Sequence, residues 1–363
     1  MILKSLTLKN YRNYRSQSLI FHPKFNIIYG DNAQGKTNLI EAIYIICNFR
    51  PFKQLKNEEL IGFGGDTAGV KGEIEVNSGL NEVHVVVKKE GRHTRLNGKT
   101  VYSISKYLGR FKVVLFLPTD VEIVKGGMHH RRKYLDSVIS TIDQSYLKSL
   151  RDYHRAVSQR NYILSNQKNI SGIGLEIWDD KIAELGAVII RKRINIVRKF
   201  NEKLNDIYNL NNYSDKEVKV KYNFSFKYNG QLVENIKNSL KENITVDKRR
   251  GHTTIGPHRD TITFYIDGAD ASKYASQGQS KNLVLALKAS EIRLVSELTN
   301  INPILLLDDI TSELDMKRKD FLFNTLKEFP GQIFVTSTGK NEIPYKGDHR
   351  TFHVKSGMAK LEG

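Results

Sequence analysis

Eight consecutive residues near the amino terminus, Gly30-Asp31-Asn32-Ala33-Gln34-Gly35-Lys36-Thr37, fulfil the pattern Gly-x-x-x-x-Gly-Lys-Ser/Thr in full. The two glycines let the backbone curl until successive N–H groups point at phosphate oxygens. A helix that starts at the end of the loop adds a favourable dipole. Lys36 is then placed for the β- and γ-phosphates of ATP, and the Thr37 hydroxyl for Mg²⁺. The flanks agree with this use. Phe25 to Tyr29 has the texture of a strand, while Leu39, Ile40, Ile43, Ile46 and Cys47 recur at helical spacing.

A second acid-bearing element lies far along the chain, at Ile304-Leu305-Leu306-Leu307-Asp308-Asp309. A buried strand that ends in a carboxylate is how phosphate-loop proteins set an acid beside Mg²⁺. Asp308 suits the metal, and Asp309 suits the polarisation of an attacking water. A third element, Ser276-Gln277-Gly278-Gln279-Ser280, precedes a helix expected over Lys281 to Leu298. Small residues and a glycine at a helix start expose N–H groups and make another anion site. A plain N-cap with a turn glycine is the blander alternative. The order of the three elements is that of ABC-type ATPases. The cofactor-binding set is therefore Gly30 through Thr37 together with Ser276, Gln277, Gly278 and Gln279, with Thr37 and Asp308 on the metal.

The elements that must position these groups alternate along the chain. The opening from Leu3 reads as strand, Glu73 to Lys88 alternates as an antiparallel strand does, and Asn97-Gly98 marks a hairpin turn. Val113 to Leu117 is a continuous apolar run ending at Pro118, as expected of a buried strand. From about Glu122 the texture becomes helical and charged, with long segments over Arg131 to Ser140, Ser145 to Leu164 and Trp178 to Leu204. A strand-like interlude follows at Val218 to Tyr228. Strand and turn signals resume after Gly251, at Thr261 to Ile266, Asp267-Gly268, Ile304 to Leu307 and Ile333 to Val335. The reading is an α/β, ABC-type ATPase head with a mixed sheet, split in sequence over 1–120 and 245–363. A mostly helical lobe without a long coiled coil is inserted at 121–244.

Composition narrows the partners. The 363 residues are 39% hydrophobic and 26% charged, enough for a real core. No apolar run approaches the roughly 18 residues needed to span a bilayer, and no leader precedes the first strand, so a cytoplasmic protein is expected. A single cysteine, Cys47, excludes disulfides and cysteine-rich zinc sites and reads as a buried filler. The formal charge of +18 points to a polyanionic partner, and nucleic acid leads over a membrane surface. Residues 121–250 carry +10 of that excess, the remaining 233 residues +8.

Asn10-Tyr11-Arg12-Asn13-Tyr14, the phosphate loop, Gly256-Pro257-His258-Arg259-Asp260, Ser276 to Gln279 and the stretch Leu307 to Asp315 together resemble the RecF family of bacterial recombination mediators. Gly126 to Asp136 resembles the start of that family's helical lobe. The resemblance covers essentially the whole chain. It implies a head like those of SMC proteins, DNA binding, an ATP-dependent homodimer, and a weak DNA-dependent ATPase. It also implies work with RecR and RecO to help load RecA at single-strand gaps. Arg12 matches a loop arginine set near the nucleotide, although by itself it is equally a surface cation. Whether gapped, single-stranded or duplex DNA is preferred stays open, as do the roles of Asp120 and His258.

Departures from ABC transporters bear on the alternatives. Those carry a glutamate where Asp309 stands and a switch histidine after the last strand, where this chain has Thr336-Ser337-Thr338. A transporter subunit also has no need of a basic helical lobe. An OLD-type nuclease needs a further domain, for which the 28 residues after Val335 are too few. A purely structural DNA-binding protein has no use for an intact phosphate loop. RecF sequences usually have Glu-Asp after the proline at 118, so Thr119 departs from the pattern and puts a sensor role of Asp120 in doubt. His129-His130 diverge by about 100° on a helix and read, with Arg131-Arg132-Lys133, as a solvated basic face. Arg191-Lys192-Arg193 with Arg198-Lys199 is either a phosphate-contacting or a solvated face.

Overall fold

Apolar runs and alternating segments set out the elements, and the computed structural model describes every residue except 54, 104–106, 108, 167–172, 213–214, 311–313 and 363. Strands β1 (Ile2–Tyr11), β2 (Tyr14–Ile20) and β3 (Phe25–Tyr29) lead to helix α1 (Lys36–Asn48). Then come β4 (Thr67–Val76), β5 (Gly79–Lys88), β6 (Gly91–Leu96), β7 (Lys99–Thr100) and β8 (Val113–Phe116). The helices α2 (Glu122–Lys125), α3 (Met128–Ile142), α4 (Gln144–Asn166) and α5 (Ile173–Asn212) follow, then β9 (Val218–Asn223), α6 (Leu232–Glu242) and α7 (Ile244–Arg250). The last part holds β10 (Thr261–Ile266), β11 (Ala269–Asp270), α8 (Ala271–Tyr274), α9 (Gln277–Thr299), β12 (Ile304–Leu307), α10 (Met316–Glu328), β13 (Ile333–Ser337), β14 (Arg350–Lys355) and β15 (Met358–Glu362).

These elements pack into two compact units. One comprises Met1–Asp120 with Glu291–Gly363, the other Val121–Ser290. Residues 245–290, grouped with the head in the sequence reading, pack within the second unit. No helix among the described residues is long and apolar enough to cross a membrane.

The first unit has two six-stranded sheets, β2-β1-β4-β5-β6-β7 and β15-β14-β3-β13-β12-β8. The first is antiparallel, and its alternation puts Leu6, Leu8, Val70, Val83 and Val85 inside, while a register shift between Leu3 and Ser5 keeps Leu3 on the same side. The run from Glu73 to Lys88 is two strands rather than one. Asn77 and Ser78 both take positive φ (48° and 63°), and that turn lets β4 and β5 pair from Val76↔Gly79 onward. The second sheet pairs β14, β3, β13, β12 and β8 in parallel. Its strand β12 is buried at every residue, as an apolar run between two parallel neighbours must be. Helix α1 is buried nearly all round and joins both sheets in one core with Ile28, Leu306 and Phe334. Cys47 is a fully buried member of that core. Gln332 ties the layers by polar contacts, accepting from Leu3 N at 2.7 Å and donating to Leu3 O at 2.9 Å.

The second unit pairs α4 with the 40-residue α5 and sets them with the small sheet β11-β10-β9. Two arginines of these helices are fully enclosed. Arg160 donates to Asp179 and Asp247 at 2.6 Å each and to Thr253 at 3.0 Å. Arg193 grips Asp136 through two bonds of 2.9 Å and donates to the Pro257 carbonyl at 2.5 Å.

This overturns part of the basic-face reading. Arg193 is 1% exposed and cannot touch phosphates, while Arg191 and Arg198 stay exposed. Arg131 likewise leaves the solvated face. It is buried and donates to the carbonyls of Ile262 and Gly126. His129 and His130 are exposed.

Because Asp247 is wholly buried beside Arg160, truncating the cation leaves carboxylates without a counter-charge. We expect Arg160→Ala to cost on the order of 3–5 kcal/mol. Urea unfolding followed by the single tryptophan, Trp178 of α5, measures it, and an unshifted midpoint would refute the role given to this pair.

Candidate nucleotide-binding site

The phosphate loop joins β3 to α1, as its flanks imply. Gly30 takes φ 153°, and a Cβ there would lie 2.2 Å from the Val354 carbonyl, so only glycine passes. Asp31, Asn32 and Ala33 form the exposed crest, with Ala33 at φ 63°. Gly35 is the N-cap of α1, and no side chain caps the helix. Its first N–H groups are therefore not taken by a side-chain cap, the condition for binding an anion. Lys36 is buried at the helix start and donates to the carbonyls of Gly30 (2.6 Å) and Asp31 (3.0 Å).

Two turns brace the loop from outside. Asn13 donates to the Gln34 carbonyl at 2.7 Å, and the Tyr14 hydroxyl donates to the Gly35 carbonyl at 3.0 Å. From the β14–β15 turn, Ser356 N donates to Gln34 Oε1 at 2.7 Å and Gly357 N to the Gln34 carbonyl at 3.2 Å. The Asn13-Tyr14 part of the motif thus shapes the loop, a role the sequence reading did not assign. Arg12 is held against α1. At φ 54° it donates to Glu41 Oε2 of α1 (2.5 and 3.2 Å) and to the Glu59 carbonyl (2.9 Å). Tyr11 joins it on the same Glu41 oxygen at 3.2 Å.

The parallel sheet brings the distant acids to the loop. Asp308 follows β12, and its Oδ1 accepts from Thr37 at 3.1 Å and from Thr336 at 2.9 Å. Burial raises its pKa, and the two hydroxyl bonds only partly offset this. Thr336 also accepts from Asp309 N at 2.7 Å, holding Asp309 at φ 48°. Thr336 is the residue sequence reasoning missed, having been noted only as standing where transporters place a histidine. A hydroxyl residue ending an apolar strand was the available signal.

A buried carboxylate touching a hydroxyl beside an uncapped helix start fits a phosphate with its divalent cation. Among the described residues no three or more His, Cys, Asp or Glu side chains gather as a metal site. Thr37 and Asp308 would be the groups for Mg²⁺, a cation held by one or two protein groups plus phosphate oxygens.

Ser276 to Gln279 sits one turn earlier on its helix than expected. α9 begins at Gln277 instead of Lys281, because Ser276 and Gln279 form a capping box. Ser276 Oγ accepts from Gln279 N at 3.1 Å, and Gln279 Oε1 accepts from Ser276 N at 2.9 Å. Ser276 and Gln277 are exposed, while Gly278 and Gln279 are half-buried. Of the Leu307–Asp315 stretch, Thr311, Ser312 and Glu313 lie outside the described residues, and Asp315 caps α10 through Arg318 N at 3.0 Å. Asp120 closes its own turn by accepting from Leu117 N at 2.8 Å. His258 serves its turn, bonded to the Tyr153 hydroxyl at 2.6 Å and to the Thr253 carbonyl at 3.2 Å. Burial lowers its pKa to about 4.

Fold and site together define a phosphate-loop head of the ABC ATPase type. The RecF/RecN/SMC N-terminal domain family matches residues 2–358. The "DNA replication and repair protein RecF" of Geobacter sp. strain M21 is 35% identical over 98% of this chain and 99% of its own. That of Alkaliphilus oremlandii is 37% identical over 99% and 100%. A solved structure of "the recombination mediator protein RecF-ATP in RecFOR pathway" superposes with a TM-score of 0.92 at 35% identity, covering all of this chain and 98% of the other. An Smc head bound to the C-terminal winged-helix domain of ScpA gives 0.56 at 13% identity, a likeness of fold alone. The chain belongs to the RecF family.

Burial works against the charged form of Asp308, which has a measurable cost. Its folded pKa lies above the ordinary carboxylate value of 3.8, so the native state binds its proton more tightly than the unfolded chain does. Stability from this group is therefore lost as pH rises through that interval. Without nucleotide, we expect Asp308→Asn to be more stable than the parent by on the order of 1 kcal/mol at neutral pH. The gap should close toward pH 3.8, and thermal melts across that range check it. A variant less stable at neutral pH would contradict this account of Asp308.

Proposed function

We propose that this chain is a cytoplasmic, ATP-dependent DNA-binding protein of recombinational gap repair and replication-fork recovery. In this reading it dimerises around ATP on DNA and works with RecR and RecO to assist RecA loading. The observation that carries it is the meeting of the uncapped α1 start with the Thr37–Asp308–Thr336 chain of hydrogen bonds. The named relatives support it, being DNA replication and repair proteins and a RecF-ATP structure of the RecFOR pathway. Functionally the head is 1–120 with 245–363, and the helical lobe is 121–244.

Bound ATP would supply the γ-phosphoryl group, and Mg²⁺ would supply positive charge beside it. Gly30 through Gly35 offer backbone N–H groups, and Lys36 exchanges its loop carbonyls for phosphate oxygens. Thr37 and Asp308 would hold the cation. Asp309 orients the attacking water from a backbone pinned by Thr336. Ser276, Gln277, Gly278 and Gln279 present the first turn of α9 to nucleotide held by the partner protomer, giving two composite sites related by a two-fold. Arg12 belongs to the nucleotide set, positioned by Glu41. Asp309 is one methylene shorter than glutamate, and a base must come within about 3 Å of its water to act well. Hydrolysis is therefore slow, that of a weak DNA-dependent ATPase, and serves as a timer for release.

Sedimentation with ATP tests the dimer. Ser276→Arg should bind ATP like the parent and stay monomeric, because the cation fills the γ-phosphate space. Lys36→Ala should lose tight nucleotide binding, and Asp309→Asn should accumulate the ATP dimer. A Ser276→Arg protein that dimerises normally would defeat the composite-site reading.

Dimerisation doubles the basic surface offered to one DNA, and each phosphate contact adds about 0.9 to the log–log salt slope on duplex. On random-sequence DNA the ATP state should bind more tightly and with a steeper slope than the ADP state. Equal affinity and slope in the two nucleotides would remove ATP control of the DNA grip.

A further inference from the structure

The outer face of the antiparallel sheet carries a groove of about 350 Å³, lined by His84, Val86, Lys88, His93, Arg95 and Thr100. Strand register arranges that face in rows. Lys71, His84, Arg95 and Thr100 stand side by side across β4 to β7, and Lys9, Gly69, Val86 and His93 form the next row across β1 to β6. Neighbouring strands are about 4.8 Å apart, and residues i and i+2 about 7 Å. The basic groups therefore form a lattice with roughly that mesh. Gly69 leaves a hole in it. A Cβ added there would sit 3.8 Å from both Lys9 Cβ and His84 Nε2, so bare backbone lies beside the groove next to Val86.

An outer sheet face ordinarily mixes both signs of charge. Here the signs are segregated. The acids Glu73 and Glu82 stand in the row beyond Lys71, and Glu75 further along β4 is tied to Lys4 at 2.6 Å. Glu82 is tied to Lys71 at 2.7 Å, and Glu73 accepts from Ser5 at 3.1 Å. Among the described residues Lys9, Lys88 and Arg95 have no carboxylate partner. Burial, with help from Lys71 and Arg95, lowers the His84 pKa, so His84 is a neutral hydrogen-bonding wall and the standing cations are lysine and arginine.

We propose that this face docks duplex DNA, with the sugar–phosphate backbone seated along the groove and Lys88 and Arg95 on its phosphates. The proposal rests on the DNA-binding reading above and adds the surface to it. The groove holds no phenylalanine, tyrosine or tryptophan on which unpaired bases would stack. A protein partner would find no large apolar or aromatic anchor there. The cationic walls suit a phosphodiester chain read without regard to sequence.

The test uses the full chain with ATP and a fluorescent random-sequence duplex, with anisotropy followed over a range of salt. Lys88→Gln with Arg95→Gln should weaken binding about tenfold near about 0.1 M salt and make the log–log slope shallower by about 1.8 for each protomer whose face is seated on the duplex. ATP affinity and melting temperature should match the parent, since both side chains are exposed. Parent-like affinity and slope in this variant overturn the proposal while leaving the DNA reading intact. So does a loss confined to a comparison variant neutralised at Arg191 and Arg198. An unchanged duplex affinity with lost binding of poly-glutamate makes the face a protein-docking surface, which also overturns it. A parent that binds no duplex at all overturns the DNA reading itself.

Discussion

Asp308 is the constraint around which the first unit is organised. Its carboxylate is buried at the end of a strand that has parallel neighbours on both sides, β8 and β13. A buried anion needs hydrogen-bond donors, and they come from two other elements, Thr37 in the first turn of α1 and Thr336 on β13. These three residues converge only if β3, β13 and β12 lie in that order with matched ends. The register Ser337↔Tyr29 and Leu307↔Val335 supplies that match. The apolar uniformity of β12 follows from the same demand, since a strand that carries an acid to the centre of a covered sheet can present no polar face of its own.

The antiparallel sheet and α1 serve this geometry from the other side. The β1–β2 turn reaches the phosphate loop through Asn13 and Tyr14, and the β14–β15 turn reaches it through Ser356 and Gly357. The turns also meet each other. A Cβ at Gly357, which takes φ 71°, would lie 2.0 Å from the Asn13 carbonyl. The crest of the loop stays exposed while its shoulders are fixed from two directions. Such a loop is organised before any anion arrives, which lowers the ordering cost of binding. Ala33 and Asp309, both at positive φ, show where local backbone preference yields to the site.

The second unit handles charge differently. Long helices rich in lysine and arginine suggest a uniformly solvated basic lobe, yet two of the arginines are structural. Arg160 and Arg193 are enclosed with carboxylates drawn from separate elements, and Tyr222 and Ser225 extend the polar interior by bonding Asp260 at 2.5 and 2.7 Å. Buried pairs of this kind are weak sources of net stability, but breaking one is costly. The arginines therefore hold the helices in one arrangement, and the exposed cations alone remain for a partner.

The sequence by itself determined the elements whose signal is local. The phosphate loop, the apolar strand before Asp308-Asp309, the Asn97-Gly98 turn and the long helices are written in adjacent residues, because backbone curvature, helical period and burial on both faces leave marks a few residues long. Only the tertiary structure decided what non-adjacent residues do for one another. The capping box of Ser276 and Gln279 moved a helix start by one turn. Thr336 became the bridge between Asp308 and Asp309, Arg12 went to Glu41, and Arg193 went to the interior. In each case the deciding quantity was a distance between side chains far apart in the chain, or a competition between hydrogen-bond donors. No spacing in the sequence encodes such a distance, since it is set by how sheets and helices pack once formed.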